Sequence, residues 1–407
     1  MFISPYFGGC KYTNNFLFIN KNTEIQRLVL LITSVDTAEI ALYLRRTTTY
    51  ENMNPETFAT LSILLICLLL FTAADVLVSL LLKFTAGIPF GKAFLWGCLS
   101  LIIPPAAIAY GALVERNIFR VREVEIACET LPEAFDGYTI VHISDIHARS
   151  FEGREGRLRK AVEKINALNP DIIAFTGDLI SMSPDELDGM RDILGGLRAK
   201  DGVFSVLGNH DYCMYSDMDE GRKATALERL VGTERAMGWT LLLNGNTVIS
   251  RGRDSVAVVG VENTSPSRHF PSRGDLTQAA AGTEGMFRIL LSHDPLHWEA
   301  EVVGKDFPLT LSGHTHAMQF SLLGWSPSRL MFPQYRGLYS AGDTGISHTT
   351  ARGADTSDPC DDLTGMTQKA LQQYLHVNPG LGETIFPARI GVMPEITLIT
   401  LKTRDNR

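Results

Sequence analysis

Five short polar blocks stand in order between residues 145 and 316: Asp145-Ile146-His147, Gly177-Asp178, Gly208-Asn209-His210-Asp211, Ser292-His293-Asp294 and Gly313-His314-Thr315-His316. Each follows an apolar run, and five of the ten histidines fall inside them. Polar side chains gathered where buried strands stop are how open α/β sheets bind ligands. Carboxylate, imidazole and amide oxygen are divalent-metal donors, and a set without thiolate suits Mn, Fe, Zn or Co, with Mg also accommodated. One ion is saturated by about four such groups, yet these blocks offer at least seven. Two ions sharing a carboxylate, about 3.5–4 Å apart, use them economically. The six cysteines show no C-x-x-C spacing, so neither a thiolate zinc site nor a disulfide scaffold is expected, and no H-E-x-x-H occurs to suggest a zinc peptidase.

In this order the blocks read D-x-H, G-D, G-N-H-D, H and G-H-x-H, and they resemble the calcineurin-like metallophosphoesterases. The tail "LHVNPGLGETIFPARIGVMPEITLITL" is similar to the membrane-associated bacterial branch of that family, and the resemblance spans Val121 to Lys402. It implies that Asp145, His147 and His316 hold one metal, that Asn209, His293 and His314 hold the other, and that Asp178 bridges both. It further implies that His210 stabilises the transferring phosphoryl or protonates the leaving oxygen, with Asp211 orienting its imidazole. A water or hydroxide bridging the ions, its pKa lowered toward about 7, then attacks phosphorus in line. Many members carry Gly-Gly after the last histidine, where this chain has Ala317-Met318 before Gln319, which alters the local shape of the substrate mouth.

Any one of these residues also has a plain structural reading, Asp145 capping a loop or His293 satisfied in a core; five ordered blocks together do not. His142, His269, His297, His348 and His376 read as structural or solvent-facing, Arg149 as a solvated loop arginine, Trp298 and Trp325 as core packing, and Cys213 as a bystander.

The elements that must position these groups are legible as short buried runs: "YTIVHIS" (138–144), "DIIAFT" (171–176), "GVFSVL" (202–207), "SVAVVGV" (255–261), "FRILLS" (287–292) and "PLTLS" (308–312). Such runs predict strands. Leu158, Ala161, Val162, Ile165 and Leu168 recur at helical spacing. Ser183-Pro184-Asp185-Glu186 opens a second helix as a capping box, continuing through Leu187, Met190, Ile193, Leu194 and Leu197. "WTLLLNGNTVIS" predicts a hairpin turning at Asn244-Gly245. The expected fold is α/β, a metallophosphoesterase-like β-sandwich flanked by helices over 121–402, interrupted by a polar insertion at 343–372.

Ahead of it, Phe58 to Leu82 carries one charge, Asp75, and Ala93 to Val114 carries none. Each is long enough, at about 1.5 Å per residue, to cross a hydrocarbon layer of about 30 Å. Together they predict a transmembrane hairpin over 57–115, with Asp75 facing the partner helix and Pro104-Pro105 kinking the second span. Residues 1–56 read as a leader: Leu28 to Leu44 is apolar but short and carries Asp36 and Glu39, and Met53 offers an alternative start. Arg45, Arg46, Arg116, Arg120 and Arg122 on one side outnumber Lys83 and Lys92 on the other, which leans toward a cytoplasmic catalytic domain, although the count ties if Leu28 to Leu44 also spans; the resemblance implies a multi-pass protein of the bacterial inner membrane. A net charge of -8 without a basic stripe argues against a nucleic-acid partner. The reading that results is a membrane-anchored phosphoesterase acting on a phosphodiester or pyrophosphate, with a lipid-linked substrate as a further expectation. Its rivals are a phosphomonoesterase or nucleotidase, and a membrane scaffold with a vestigial site.

Overall fold

A computed structural model describes residues 55–342, 345–349 and 372–404. The stretch Leu28 to Leu44, the alternative start at Met53 and most of the 343–372 insertion lie outside the described residues.

Helix α1 (Pro55–Ala86) is apolar except at Glu56, Asp75, Lys83 and a few Ser and Thr, and the second apolar run follows as α2 (Phe90–Gly97), a 3₁₀ turn and α3 (Ile103–Leu113). The break falls just before Pro104-Pro105, which occupy the first turn of α3, where their missing N–H groups leave no helical bond unmade. Asp75 faces α2 as expected: a Cβ at Gly97 would lie 1.4 Å from its Oδ1, and Ser79 donates to it at 3.4 Å. Both segments, Glu56–Ala86 and Phe90–Asn117, are long and apolar enough to cross a membrane by length and composition.

The strands that follow form two sheets. The first holds β1 (Arg120–Cys128), β2 (Thr139–Ile143), β3 (Ile172–Phe175), β4 (Gly202–Ser205), β5 (Thr240–Leu241) and β13 (Glu395–Thr403), in the order β1-β13-β2-β3-β4-β5. The second holds β6 (Gly245–Arg251), β7 (Asp254–Gly260), β8 (Phe287–Leu291), β9 (Leu309–Ser312), β10 (Gly337–Gly342), β11 (Gly345–Thr349) and β12 (Gln373–Val377), in the order β11-β10-β12-β9-β8-β7-β6. The sheets share one core, in which Ile140 and Ile172 of the first meet Ile289 and Leu309 of the second, all fully buried. Each such side chain stabilises the sandwich by about 1.5–3 kcal/mol relative to exposure. Helices α4 (Glu155–Ala167) and α5 (Glu220–Ala236) supply Leu158, Ala161, Ile165 and Leu230 to a second core on the outer face of the first sheet. All six apolar runs are strands, and β2, β3 and β4 run parallel, as do β7, β8, β9 and β12. Parallel runs bring the polar blocks after β2, β3 and β4 to one edge and those after β8 and β9 to the adjoining edge.

Three local expectations are corrected. Asn244, in the left-handed region at φ 52°, does not close a hairpin: β5 pairs with β4 in one sheet and β6 with β7 in the other, so the turn carries the chain between sheets. The hairpin is β6–β7, around Gly252 at φ 66°. The helix expected from Ser183 is a 3₁₀ turn, Pro184–Leu187, whose capping box is present, and Gly189 at φ 81° separates it from a short helix at Arg191–Leu194. Residues 345–349, inside the stretch read as a loop, pair antiparallel with β10 as β11.

Candidate metal centre

The left-handed region disfavours any residue with a Cβ, yet Asp145, His147, Asp178, His314 and His316 all lie there, at φ 49°, 43°, 58°, 70° and 49°. Strain of about 1–3 kcal/mol per residue persists only where surrounding bonds over-determine it. Here Asp145 N–H donates to the Gly177 carbonyl at 2.9 Å, His147 N–H to the Asp178 carbonyl at 3.0 Å, and His314 N–H to both carboxylate oxygens of Asp145 at 3.1 and 3.0 Å. Gly177, at φ 90°, and Gly208 leave room between the β3 and β4 ends: a Cβ on Gly208 would stand 2.2 Å from Asp178 Oδ1 and 2.7 Å from the His293 ring.

Seven side chains converge in this space. His147 Nε2 and His316 Nε2 are 3.0 Å apart, and His316 Nε2 is 3.1 Å from Asp145 Oδ1. Alongside, Asn209 Oδ1 lies 3.1 Å from His293 Nε2 and 2.9 Å from His314 Nδ1, the two ring nitrogens themselves being 3.2 Å apart. Asp178 Oδ2 stands between the groups, 3.6 Å from His147 Nε2 and 3.1 Å from His293 Nε2. His293 donates its Nδ1–H to the Thr176 carbonyl at 2.6 Å, which aims Nε2 into the cluster. Lone pairs this close repel unless a cation lies among them, and metal–ligand bonds of about 2.0–2.2 Å place neighbouring donors about 3.0–3.4 Å apart. The donor set therefore fits divalent ions, with Asp145, His147 and His316, then His147, Asp178 and His210, and then Asp178, His293 and His314 each close enough together to hold one.

Electrostatics favour a cation at the same place. Burial opposes protonation of His293, but the charges of Asp178 and Asp145 outweigh it and pull its pKa up to about 10. For His147 burial wins, reinforced by His210, and the ring is held well below the usual histidine range.

His210 and His314 are half-buried and the other members buried, which puts the open side at those two rings. His210 donates Nδ1–H to the Ser181 carbonyl at 2.8 Å, its ring lies 4.7 Å from that of His147, and its backbone N–H donates to Asp178 Oδ1 at 2.9 Å. The orientation expected from Asp211 is thus made by Ser181. Asp211 instead accepts from the backbone N–H groups of Asp178, Gly208, Leu179 and Ile180 at 2.8, 2.8, 2.9 and 3.2 Å, clamping the turns after β3 and β4 together. Burial and the Asp178 charge push it up to about 7 against those four donors.

Arg149 is partly exposed, as a loop arginine would be, and is also tied down: its Nε donates to Glu56 at the start of α1, at 3.2 Å. Trp298 is core, while Trp325 is exposed, against expectation. His142 and His376 form a buried pair with Nδ1 atoms 2.9 Å apart. Sequence reasoning missed Arg389, fully buried, whose Nη2 lies 3.4 Å from His316 Nδ1, and Glu383, which binds Arg116 at 3.2 Å and Arg157 at 2.5 Å. Their signal was available as charged residues within the Gly/Pro-rich tail before β13. A cleft of about 690 Å³ between Arg191 and Met237 holds none of these groups.

A calcineurin-like phosphoesterase family model matches residues 138–318. The chain is 30% identical over 300 residues to the metallophosphoesterase YkuE of Bacillus subtilis, covering 73% of this chain and 90% of that one. It is 31% identical over 316 residues to a transmembrane protein with metallophosphoesterase domain from Danio rerio, covering 75% of this chain and 62% of the relative. Over 254 residues it is 27% identical to UDP-2,3-diacylglucosamine pyrophosphatase LpxG of Chlamydia trachomatis, covering 51% and 72%. A buried cluster of seven metal donors at strand ends and this extent of likeness lead to one conclusion: the chain belongs to the calcineurin-like metallophosphoesterases.

Proposed function

We propose that the protein is a membrane-anchored phosphoesterase that hydrolyses a phosphodiester or pyrophosphate bond, on a lipid-linked substrate, with its catalytic domain on the cytoplasmic side. The observation that carries the chemistry is Asp178 Oδ2 standing 3.6 Å from His147 Nε2 and 3.1 Å from His293 Nε2, which supports its bridging one ion on Asp145, His147 and His316 and another on Asn209, His293 and His314. These residues would hold two divalent ions (Mn, Fe, Zn, Co or Mg), which would supply neutralisation of phosphoryl charge and an acidified water. The protein's own groups do the rest. Asn209 supplies a neutral oxygen that limits negative charge where an anionic substrate must approach. His210, fixed through Nδ1 on the Ser181 carbonyl, offers its other nitrogen at the open side to protonate the leaving oxygen. The lipid-linked substrate is supported by the two long apolar helices, and by a relative whose name describes a pyrophosphatase of a diacylated sugar nucleotide.

The test is hydrolysis of an aryl phosphodiester and the matching monoester by the full chain in neutral detergent with Mn, Zn or Mg, beside Asp178→Asn and His210→Ala. Metal-dependent diester cleavage that falls at least about 10²-fold in both variants is expected. Faster monoester cleavage would make the protein a phosphomonoesterase, and two bound ions without turnover on any phosphate ester would make it a scaffold.

A further inference from the structure

After His316 the chain leaves the metal cluster and forms a tight turn at Leu322–Trp325, closed by Leu322 N–H to the Trp325 carbonyl at 2.8 Å and Trp325 N–H to the Leu322 carbonyl at 3.0 Å. Its central residues, Leu323 and Gly324, have φ 51° and 82°. Such turns favour Asn or Gly at both positions, so a leucine at the first is strained as well as exposed. Leu323 is 99% exposed, Leu322 62% and Trp325 47%, with Leu330 and Met331 also exposed nearby. A fixed turn that presents apolar side chains to solvent marks a surface built for an apolar medium.

Its neighbour says which medium. Ser321 N–H donates to the Ile390 carbonyl at 2.7 Å, Phe320 bridges Ile390, and Gly391 N–H donates to Glu115 at 2.9 Å. Gly111 of α3 packs directly on Arg389 and Ile390, where a Cβ would meet the Arg389 carbonyl oxygen at 2.6 Å. The apolar turn is therefore joined, through residues 389–391, to the end of the second membrane-length helix.

Beneath the turn is a cleft of about 250 Å³ lined by Arg120, Arg122, Ser321, Gly324, Tyr335 and Arg336. Arg120 and Arg122 lie on one face of β1, at alternate positions, just past the end of the membrane-length segment. Among the described residues neither makes an ion pair. Arg336 binds Glu395 at 3.0 Å but keeps a buried Nε–H without an acceptor. Three guanidinium groups facing one carboxylate leave a cationic cleft whose rim is apolar, the complement of an anionic phosphate carrying acyl chains.

We propose that this cleft binds the phosphate of an anionic glycerophospholipid, with the acyl chains lying against Leu322, Leu323 and Trp325, so that the open side of the metal cluster is held at the bilayer surface. The proposal rests on the membrane-anchored part of the reading above and not on its chemistry. Ala317, which also lines the cleft, directly follows His316, so a lipid seated there lies beside the cluster that the same surface serves.

The experiment uses the full chain in a neutral maltoside detergent and follows Trp325 fluorescence, isolated by difference from Trp325→Phe, during titration with short-chain dihexanoyl phosphatidylglycerol, dihexanoyl phosphatidylcholine or inorganic phosphate. Saturable binding of phosphatidylglycerol at least about ten-fold tighter than of phosphatidylcholine is expected, weakened about ten-fold or more by Arg120→Gln with Arg122→Gln. Leu323→Ser, at a side chain with no packing to lose, should weaken the lipid and not inorganic phosphate. Equal affinity for the two lipids, or no effect of the arginine pair, overturns the proposal; phosphate binding as tightly as the lipid overturns its lipid part. Aryl phosphodiester cleavage by the same preparations keeps the two readings apart. The arginine variant should cleave as the parent does, and lipid binding by an inactive parent would remove the phosphoesterase while leaving the lipid site standing.

Discussion

The two halves of the donor cluster are built to different standards. Around Asp145, His147 and His316 all three backbones are left-handed, the set contains a full carboxylate, and buried Arg389 stands behind His316. Around Asn209, His293 and His314 only His314 is left-handed, the oxygen donor is a neutral amide, and the His314 ring is walled by Phe270 and Phe332 at 4.9 and 5.4 Å between centroids. The first half spends backbone strain and charge on a fixed position. The second keeps charge low at the half-buried side, where an anion must arrive. Were two ions bound there as proposed, this difference would hold the one beside Asp145 more firmly and leave the one beside Asn209 more exchangeable, with Asp178 between them.

Removing one donor from each half breaks or sharpens this contrast most strongly. Asn209→Ala should reduce bound metal from two ions to one per chain by elemental analysis and lower diester cleavage about 10²-fold or more. Asp145→Asn should release the tighter ion and, through the shared Asp178, weaken the other. Loss of both ions in Asn209→Ala and of one in Asp145→Asn would reverse the assignment.

A smaller effect tests the brace behind the first half. Glu383 neutralises Arg116 and Arg157 and lies 4.0 Å from Arg389. Glu383→Ala leaves buried guanidinium groups without a counter-charge and should destabilise the fold by about 3–5 kcal/mol, read by chemical denaturation in detergent. It should also weaken the first ion more than the second, and equal weakening would place the brace behind the whole cluster.

The smallest effect concerns the residues after His316. Ala317, Met318 and Gln319 have φ 48°, 50° and 54°, a left-handed region that glycine adopts without strain. Met318→Gly should therefore stabilise by about 0.5–1 kcal/mol, the strain removed exceeding the entropy a glycine adds. A destabilisation of that size would mean that the Met318 side chain contributes contacts that outweigh its backbone strain.

Legibility followed the length scale of the cause. The six strands were visible because a buried strand needs an unbroken apolar run, and the blocks after them because a metal cluster needs particular atoms whatever surrounds it. Asn244-Gly245 misled because its turn propensity is local, whereas the choice between closing a hairpin and crossing to the other sheet is made by β4 and β7, the partners waiting on each side. The 183–197 helix was overestimated for the same reason: its periodicity is real, but Gly189 breaks it. Asp211 kept its place and changed its task, since a carboxylate beside four backbone N–H groups binds them before it can reach a neighbouring ring.

By itself, the sequence determined the order of strands and donor blocks and two segments of membrane length, because each depends on residue type and spacing alone. The tertiary structure decided how closely the seven donors gather, that Ser181 rather than Asp211 orients His210, and that the tail from Glu383 to Gly391 ties the helix end to the cluster. It also set Arg120, Arg122 and Arg336 around one cleft under an apolar turn. These arrangements join residues as far apart as Arg116 and Glu383, and only packing brings such residues within reach of one another's charge.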